Sequence, residues 1–196
     1  MIKIEDKFIR YMKVDTKSDD FSSSTPSTMI QLNLAKMLVE ELHVLGIDNA
    51  YLDEHGLVYA SLEGDNSKDP IGLISHMDTS PELDGGNYEP RRIHNYQGED
   101  IKLNDKYTLS PKRFPSLLTN LNHDLLVTDG DHLLGGDDKA GIAIIMSLLE
   151  YYVKHPEVKH APIKVCFTPD EEVGRGSENF SVEKMGAKIA YTQRHL

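Results

Sequence analysis

Two short apolar runs constrain the fold of this 196-residue chain more than any other feature. Residues 71–75 read Ile-Gly-Leu-Ile-Ser, and residues 162–168 form a second run that contains Ile, Val and Phe. Such runs are typical of strands buried on both faces of a parallel sheet. Apolar residues recur at helical spacing within residues 2–12, 25–46 and 140–152. Helices that alternate with buried strands predict an α/β fold, a mostly parallel mixed sheet flanked by helices.

Local signals place the ends of some elements. Thr25 followed by Pro26 is typical of a helix start, with a hydroxyl cap before a proline in the first turn, and Gly46 is typical of a helix end. Residues 51–52 and 58–62 flank a predicted hairpin turn, and a last short strand is predicted at residues 189–192. Residues 81–131 are polar and irregular. A connection that long predicts a functional segment or small strands of its own.

Charge and cysteine content exclude several classes of protein. The formal net charge is −11, which argues against nucleic acids and anionic membranes as partners because both require basic patches. A single cysteine, Cys166, rules out an intrachain disulfide. The N-terminal residues carry early charges without an apolar signal region, and no apolar run approaches the roughly 20 residues of a membrane span. These features predict a cytoplasmic protein.

Three clusters of metal-ligating residue types follow the predicted strands and loops. They are His76-x-Asp78, the pair Asp137 and Asp138 after two glycines, and the pair Glu171 and Glu172. Taken alone, each is more typical of ordinary structure: a histidine that ends a strand, a helix cap, and two solvated glutamates. Ligands of open α/β sheets bind beyond the carboxyl ends of the strands, where all three clusters are expected. Imidazole and carboxylate donors together suit zinc, with manganese or cobalt as alternatives.

The three motifs in this order resemble a known family, the peptidase T (tripeptide aminopeptidase) branch of the co-catalytic di-zinc exopeptidases, which also include aminoacylase-like and carboxypeptidase-like enzymes. The likeness spans almost the whole chain. The segments that carry it are Ser75-His76-Met77-Asp78-Thr79, Leu134-Gly135-Gly136-Asp137-Asp138-Lys139-Ala140-Gly141 and Phe167-Thr168-Pro169-Asp170-Glu171-Glu172-Val173-Gly174.

The resemblance implies a role for each residue of the clusters. His76 and Glu172 would each bind one zinc ion, and Asp137 would bridge the two ions. Asp78 would orient His76, and Glu171 would be the general base that takes a proton from the attacking water. The resemblance also allows a cis peptide bond between Asp137 and Asp138. The implied reaction releases the N-terminal residue of a tripeptide. For full-length members of the family, the resemblance also implies a homodimer.

The end of the sequence departs from the family pattern. The family has a zinc-binding aspartate where this chain has Arg194, and an arginine cannot bind a metal because it stays protonated. His195 is one residue out of register. The family's last histidine ligand and its dimerisation domain lie beyond position 196. Residues 1–196 are therefore expected to form an incomplete catalytic domain whose peptidase activity is impaired.

Two other interpretations stay open at this stage. The chain could be a related dipeptidase or carboxypeptidase of the same superfamily, although the Asp-Asp-Lys and Glu-Glu-Val-Gly sequences and the long segment after Pro81 favour the tripeptidase. It could also be a non-catalytic remnant of such an enzyme that binds a metal or a partner. Metal titration separates the remnant from an active enzyme, because a working centre requires two tight sites, whereas a remnant is expected to show none or one weak site.

Overall fold

A computed structural model describes residues 2–192 of the chain. It contains helices, short strands and one 3₁₀ helix at Pro115–Asn120. The helices are α1 (Ile4–Met12), α2 (Gln31–Val44), α3 (Gly136–Lys154) and α4 (Val182–Met185). The strands are β1 (Tyr51–Leu52), β2 (Val58–Leu62), β3 (Ile71–His76), β4 (Arg91–Ile93), β5 (Ile101–Lys102), β6 (Thr108–Leu109), β7 (Leu125–Val127), β8 (Ile163–Thr168) and β9 (Ile189–Thr192).

The two apolar runs form the centre of a five-stranded sheet with the order β1-β2-β8-β3-β9. Strand β3 is parallel to both β8 and β9, whereas β2 is antiparallel to β8 and to β1. This confirms the predicted mixed sheet with flanking helices. The register pairs His76, the last residue of β3, with Thr168, the last residue of β8. The segments that follow both strands therefore leave the sheet side by side.

Alternate side chains of β8 enter different parts of the core. Val165 and Phe167 are buried in the main cluster, which also holds the apolar faces of α1, α2 and α3. Cys166 lies between them in sequence and packs in a second cluster with Met185 of α4. This alternation follows from the two-residue repeat of a strand. Helices α1, α2 and α3 thus pack on one face of the sheet, and α4 packs on the other.

Helix α2 shows why one helix end was predicted correctly and the other was not. Leu34, Leu38 and Leu42 recur every four residues and are fully buried, and Gly46 follows the helix with φ +86°. The start predicted at Thr25–Pro26 is wrong, because the helix begins at Gln31. The peptide bond between Thr25 and Pro26 is cis. The residues from Pro26 to the start of α2 form a loop, in which Ser27 contacts Asp170.

The long polar segment at residues 81–131 contains small strands, as predicted. Strands β4 and β7 pair in one two-stranded sheet, and β5 and β6 pair in another. At the other side of the main sheet, β9 forms an edge, and all four of its residues are exposed. Among residues 2–192, no helix is long and apolar enough to cross a membrane.

Candidate active site

Carboxylates converge on His76, which ends strand β3 and is 4% exposed. Its Nε2 atom lies 2.9 Å from Oδ1 of Asp137 and 4.0 Å from Oε2 of Glu171. On the other side of the ring, Nδ1 lies 3.1 Å from the backbone oxygen of Asp78 and 3.4 Å from its Oδ1. Burial lowers the pKa of His76, but the hydrogen bonds of Asp78 and Asp137 and the negative charges of Asp78 and Asp138 outweigh burial and raise that pKa to about 9.

Asp137 reaches His76 because the chain is not yet helical at the start of α3. Gly135 has φ +69°, a left-handed conformation that glycine adopts without steric cost. Asp137 and Asp138 have non-helical backbone angles, and the peptide bond between them is cis, which the family resemblance allowed. The Asp137 side chain is 47% exposed, so it stays accessible from the outside of the site.

Asp138 is held inside the protein and fixes the position of its neighbour. Its Oδ2 accepts a hydrogen bond from Ser75 Oγ at 2.5 Å, and its Oδ1 accepts one from the Gly141 amide at 3.2 Å. Ser75 Oγ is also 3.0 Å from the Asp138 carbonyl oxygen. Burial raises the pKa of Asp138 to about 6, against the hydrogen bond from Ser75. These contacts tie the start of α3 to strand β3.

Asp78 holds the turn that carries both glutamates. It is fully buried, and its Oδ1 and Oδ2 each accept a backbone N–H, from Glu171 and from Glu172, at 3.0 Å. The family resemblance predicts that Asp78 orients His76. Its carbonyl oxygen is the nearer partner of the imidazole, and its carboxylate is used mainly by the two amides. Asp78 therefore joins the histidine and the glutamate turn in one unit.

The two glutamates differ in their surroundings. Glu171 has a side chain that is 30% exposed, close enough to water to exchange a proton with it. Glu172 lies in a concentration of negative charge. Burial, and then the carboxylates of Asp78, Asp137 and Glu171, raise the pKa of Glu172, with the imidazole of His76 acting in the opposite direction. A cation at this place would relieve the repulsion.

A cavity of about 390 Å³ opens beside Glu171. It is large enough for an amino-acid side chain, and its walls combine apolar residues with small polar ones. The other lining residues are Ile74, Thr168, Gly174, Gly176, Ser177, Phe180 and Thr192.

Three residues that hold the site were not assigned a role from the sequence. Asp170 is fully buried immediately before the glutamates, and it contacts Ser27 and Gln31. Asp170 stands inside a motif that was singled out, so its position was a usable signal. Ser27 and Gln31 gave no signal, because they precede their partner by 143 and 139 residues. Arg194 and His195, in contrast, lie outside the described residues.

The donors present suit a zinc site in part. Two ligands of one tetrahedral zinc, bonded at about 2.0–2.1 Å, stand about 3.3 Å apart, close to the 2.9 Å between His76 Nε2 and Asp137 Oδ1. Within residues 2–192, however, no three His, Cys, Asp or Glu side chains form a group that could hold a metal ion. The charges of neighbouring carboxylates affect the pKa of the predicted ligand Glu172, but among residues 2–192 Glu172 does not belong to a group of three potential metal ligands.

Comparison with known proteins finds close relatives, although no family model matches the sequence. The chain is 51% identical over 194 residues to peptidase T of Clostridium perfringens (strain 13 / Type A), a match that covers 98% of this chain and 48% of the relative. It is 50% identical over 194 residues to peptidase T of Geobacillus sp. (strain WCH70), with 97% and 47% covered. The chain spans about half the length of the curated relatives it matches.

Solved structures show the same fold at lower identity. Aminopeptidase PepT from Bacillus cereus ATCC 10987 superposes with a TM-score of 0.66 at 23% identity, over 98% of this chain and 43% of that one. The M20 family metallo-carboxypeptidase Sso-CP2 from Sulfolobus solfataricus gives a TM-score of 0.59 at 15% identity, over 100% and 38%. Each superposition covers nearly all of this chain and under half of the larger one.

Proposed function

We propose, from the premise that the chain is a homologue of peptidase T over nearly its whole length, that it is built for metal-dependent removal of the N-terminal residue from tripeptides. One observation carries the proposal. His76, Asp137 and Glu171 come from three separate segments, yet both carboxylates lie within 4.0 Å of one imidazole nitrogen. Hydrolysis of the first peptide bond would release one amino acid and a dipeptide.

Three side chains would hold the metal ions. His76 and Glu172 would each bind one of two zinc ions, and Asp137 would bind both. The 2.9 Å spacing of His76 and Asp137 supports this assignment, as does the negative charge around Glu172. When bound, zinc would supply Lewis acidity toward the scissile carbonyl and the attacking water. Manganese and cobalt remain alternatives, because the same donors accept them.

Glu171 would move the proton. Its carboxylate is partly exposed and faces His76, so a water molecule can reach it from the open side of the site. Glu171 would accept the proton that the water loses as its oxygen attacks the scissile carbon, and it would return that proton to the leaving amine. Asp78 supports this role because it fixes the backbone on which Glu171 is carried. The cavity beside Glu171 offers room for a substrate side chain.

We further propose that the 196-residue chain is a weak peptidase by itself. The family resemblance puts Arg194 where an aspartate binds zinc, and a guanidinium cannot replace that ligand. Loss of a supporting residue near a metal typically costs about 10–100-fold in affinity or activity, so loss of a direct ligand should cost more. The incomplete catalytic domain, the homodimer of full-length members and the cytoplasmic location stay predictions.

A second candidate is a non-catalytic remnant that binds a metal or a partner. One observation favours it: no group of three potential ligands occurs in the described part of the chain. Such a protein would keep the fold and the pair of His76 and Asp137 without turning over a peptide. Its zinc titration would show at most one weak site.

The test measures tripeptide hydrolysis by the purified chain with added zinc, beside calorimetric titration of the metal. We expect slow release of the N-terminal residue, two zinc sites and loss of release with a chelator. Glu171→Gln should abolish release while zinc still binds, whereas Glu40→Gln on the exposed face of α2 should change neither. No release at any zinc concentration, with one weak site, would favour the remnant. A rate equal to that of a full-length relative would refute the weak-peptidase proposal.

A further inference from the structure

The buried carboxylate of Asp170 joins the glutamate turn to a loop far away in sequence. Its Oδ1 accepts hydrogen bonds from Ser27 Oγ at 2.5 Å and from Gln31 Nε2 at 2.8 Å. The Ser27 amide is 2.9 Å from Oδ1 and 2.8 Å from Oδ2, so it is shared between both oxygens. The backbone N–H of Asp170 donates to Gln31 Oε1 at 3.3 Å. Ser27, Gln31 and Asp170 are all at least nine-tenths buried.

We propose that Asp170, Ser27 and Gln31 form a positioning set that fixes the direction of the Glu171 carboxylate. This inference rests on the proposed function, in which Glu171 is the general base. None of the three would touch the substrate. Each would act through the backbone of residues 170–172.

The first support is that the turn is held from two sides by two buried carboxylates. Asp78 accepts the amides of Glu171 and Glu172 on one side. On the other side, Asp170 is anchored to Ser27 and to the first residue of α2. Two such anchors leave the short segment between them little freedom to rotate, and the Glu171 side chain departs from that segment.

The second support is the backbone of Asp170 itself. Asp170 has φ +60°, in the left-handed region of backbone angles. Residues other than glycine rarely adopt this conformation, although aspartate tolerates it better than most. This angle turns the chain sharply after β8, and the Asp170 carbonyl oxygen then accepts the Arg175 amide at 2.9 Å. Burial of the aspartate side chain with four short contacts compensates for an unfavourable backbone angle, which persists only where the surroundings enforce it.

The third support is that the anchoring loop is also fixed to the segment that carries Asp78. Ser27 also accepts the Asp19 amide at 3.0 Å, and Thr28 Oγ1 donates to the Lys17 carbonyl at 2.5 Å. Residues 17–18 in turn contact Thr79 beside Asp78, through Ser18 Oγ and the Thr79 carbonyl at 2.8 Å. The loop therefore connects the two anchors of the turn, Asp78 and Asp170. Weakening the contacts of Ser27 or Gln31 should move Glu171 without removing any proposed metal ligand.

The test compares Gln31→Met, Ser27→Ala and Ser27→Thr with the wild-type chain. Methionine matches glutamine in size but neither donates nor accepts as the amide does, and threonine keeps the hydroxyl. Amide hydrogen exchange of Glu171 and Glu172 reports the order of the turn without any need for catalysis. We expect exchange at both amides to rise at least about tenfold in Gln31→Met and Ser27→Ala, with amides in the middle of α3 unchanged, and Ser27→Thr to stay near wild type.

Tripeptide hydrolysis with zinc gives the second readout. In an active chain, kcat should fall about tenfold or more in Gln31→Met and Ser27→Ala, with KM within about twofold. The matched control is Asn49→Ala, which removes three hydrogen bonds to Ser61 near the opposite end of β8 and should alter neither exchange at Glu171 nor kcat.

Each outcome decides the inference. Unchanged exchange at Glu171 in Gln31→Met and Ser27→Ala overturns it. Faster exchange with unchanged kcat in an active chain also overturns it, because the turn would then be ordered for stability alone. If the wild-type chain hydrolyses nothing, the proposed activity of this chain fails, and exchange alone decides whether the three residues position the turn.

Discussion

Oδ1 of Asp78 lies 3.0 Å from the backbone nitrogen of Glu171, across 93 residues of sequence. Asp78 follows strand β3 and Glu171 follows strand β8, so this contact joins the exits of the two central parallel strands. A glutamate on an unrestrained turn would sample many directions. Here its backbone is fixed to the same residue whose carbonyl oxygen holds the His76 ring. The relative positions of His76 and Glu171 are therefore set by the contacts of Asp78 at the carboxyl ends of β3 and β8.

Asp78→Asn should destabilise the protein by about 1–3 kcal/mol. The asparagine keeps the shape but presents an amide NH₂ to one of the two backbone N–H groups, which leaves a buried donor without an acceptor. Urea unfolding followed by circular dichroism measures the loss. The variant should also bind zinc about 10–100-fold more weakly, as is typical when a residue that supports a metal ligand is changed.

Asp65→Asn is the matched control for Asp78→Asn. Asp65 also accepts a backbone N–H, from Ser67 at 3.0 Å, but in an exposed turn. Its substitution should change the free energy of unfolding by no more than about 0.5 kcal/mol. Equal stability of Asp78→Asn and Asp65→Asn would show that the two buried amide contacts do not hold the turn.

Much of the fold was predictable because local patterns decided it. The apolar runs of β3 and β8 are buried as central strands of the sheet, and the leucines of α2 are buried on one face of that helix. The pairing of β3 with β8 then brings His76 beside the residues after Thr168. The start of α2 was not predictable in this way. Thr25 and Pro26 gave a local helix-start signal, but the chain after them is held in a loop by the hydrogen bond from Ser27 to Asp170, a contact that no short-range signal reveals. Hydrogen bonds between side chains that are distant in sequence thus outweighed the local preference for a helix start at Thr25 and Pro26.

Gly176→Ala should lower peptidase activity far more than stability. A Cβ at position 176 would stand 3.0 Å from the Cα and 3.1 Å from the Cβ of Glu171, so the turn must shift to admit it. Gly176 does not need a left-handed backbone, so alanine is otherwise acceptable there. We expect kcat to fall about tenfold or more, as small displacements of a catalytic group cost up to about a hundredfold.

Gly85→Ala is the control for that substitution. A Cβ at Gly85 would meet nothing closer than Thr79 Oγ1 at 3.7 Å, which is ordinary contact. Its kcat should match wild type. If Gly176→Ala also matched wild type in an active chain, the position of Glu171 would not be as tightly defined as the geometry indicates.

Lys7→Met should destabilise the protein by about 1–3 kcal/mol at neutral pH. Lys7 is 1% exposed, and its ammonium lies 2.8 Å from Glu41 and 3.2 Å from Glu150, so it joins α1 to α2 and α3. Its removal takes one of two cations from each carboxylate, because Arg10 still pairs with Glu41 and Lys154 with Glu150. Chemical unfolding measures the loss, and Lys3→Met is the control, because the exposed pair of Lys3 and Glu5 is 3.9 Å apart and should contribute little.

The loss in Lys7→Met should shrink in acid. Burial opposes ionisation of Glu150, but hydrogen bonds from Lys154 and Lys7 outweigh it and lower the pKa of Glu150. A carboxyl with a lowered folded-state pKa stabilises the protein above its unfolded pKa of about 4.3, and this contribution disappears as the pH falls through the folded-state value. The difference between variant and wild type should therefore narrow below about pH 4. A constant difference from pH 7 to pH 3 would contradict the role of the ion pairs.

The thiol of Cys166 should be unreactive until the protein unfolds. Cys166 is fully buried on strand β8, and burial raises its pKa to about 12, with the Tyr59 hydroxyl acting against that shift and the charge of Asp53 adding to it. Because the thiolate is the reactive form, a disulfide reagent at pH 8 should modify the native chain only as fast as it opens. Labelling across a urea series should follow the unfolded fraction, whereas an added exposed cysteine, Ser67→Cys, should react at once without urea. Rapid labelling of Cys166 in the native chain would mean that the cluster formed by Cys166 and Met185 opens independently of the main core.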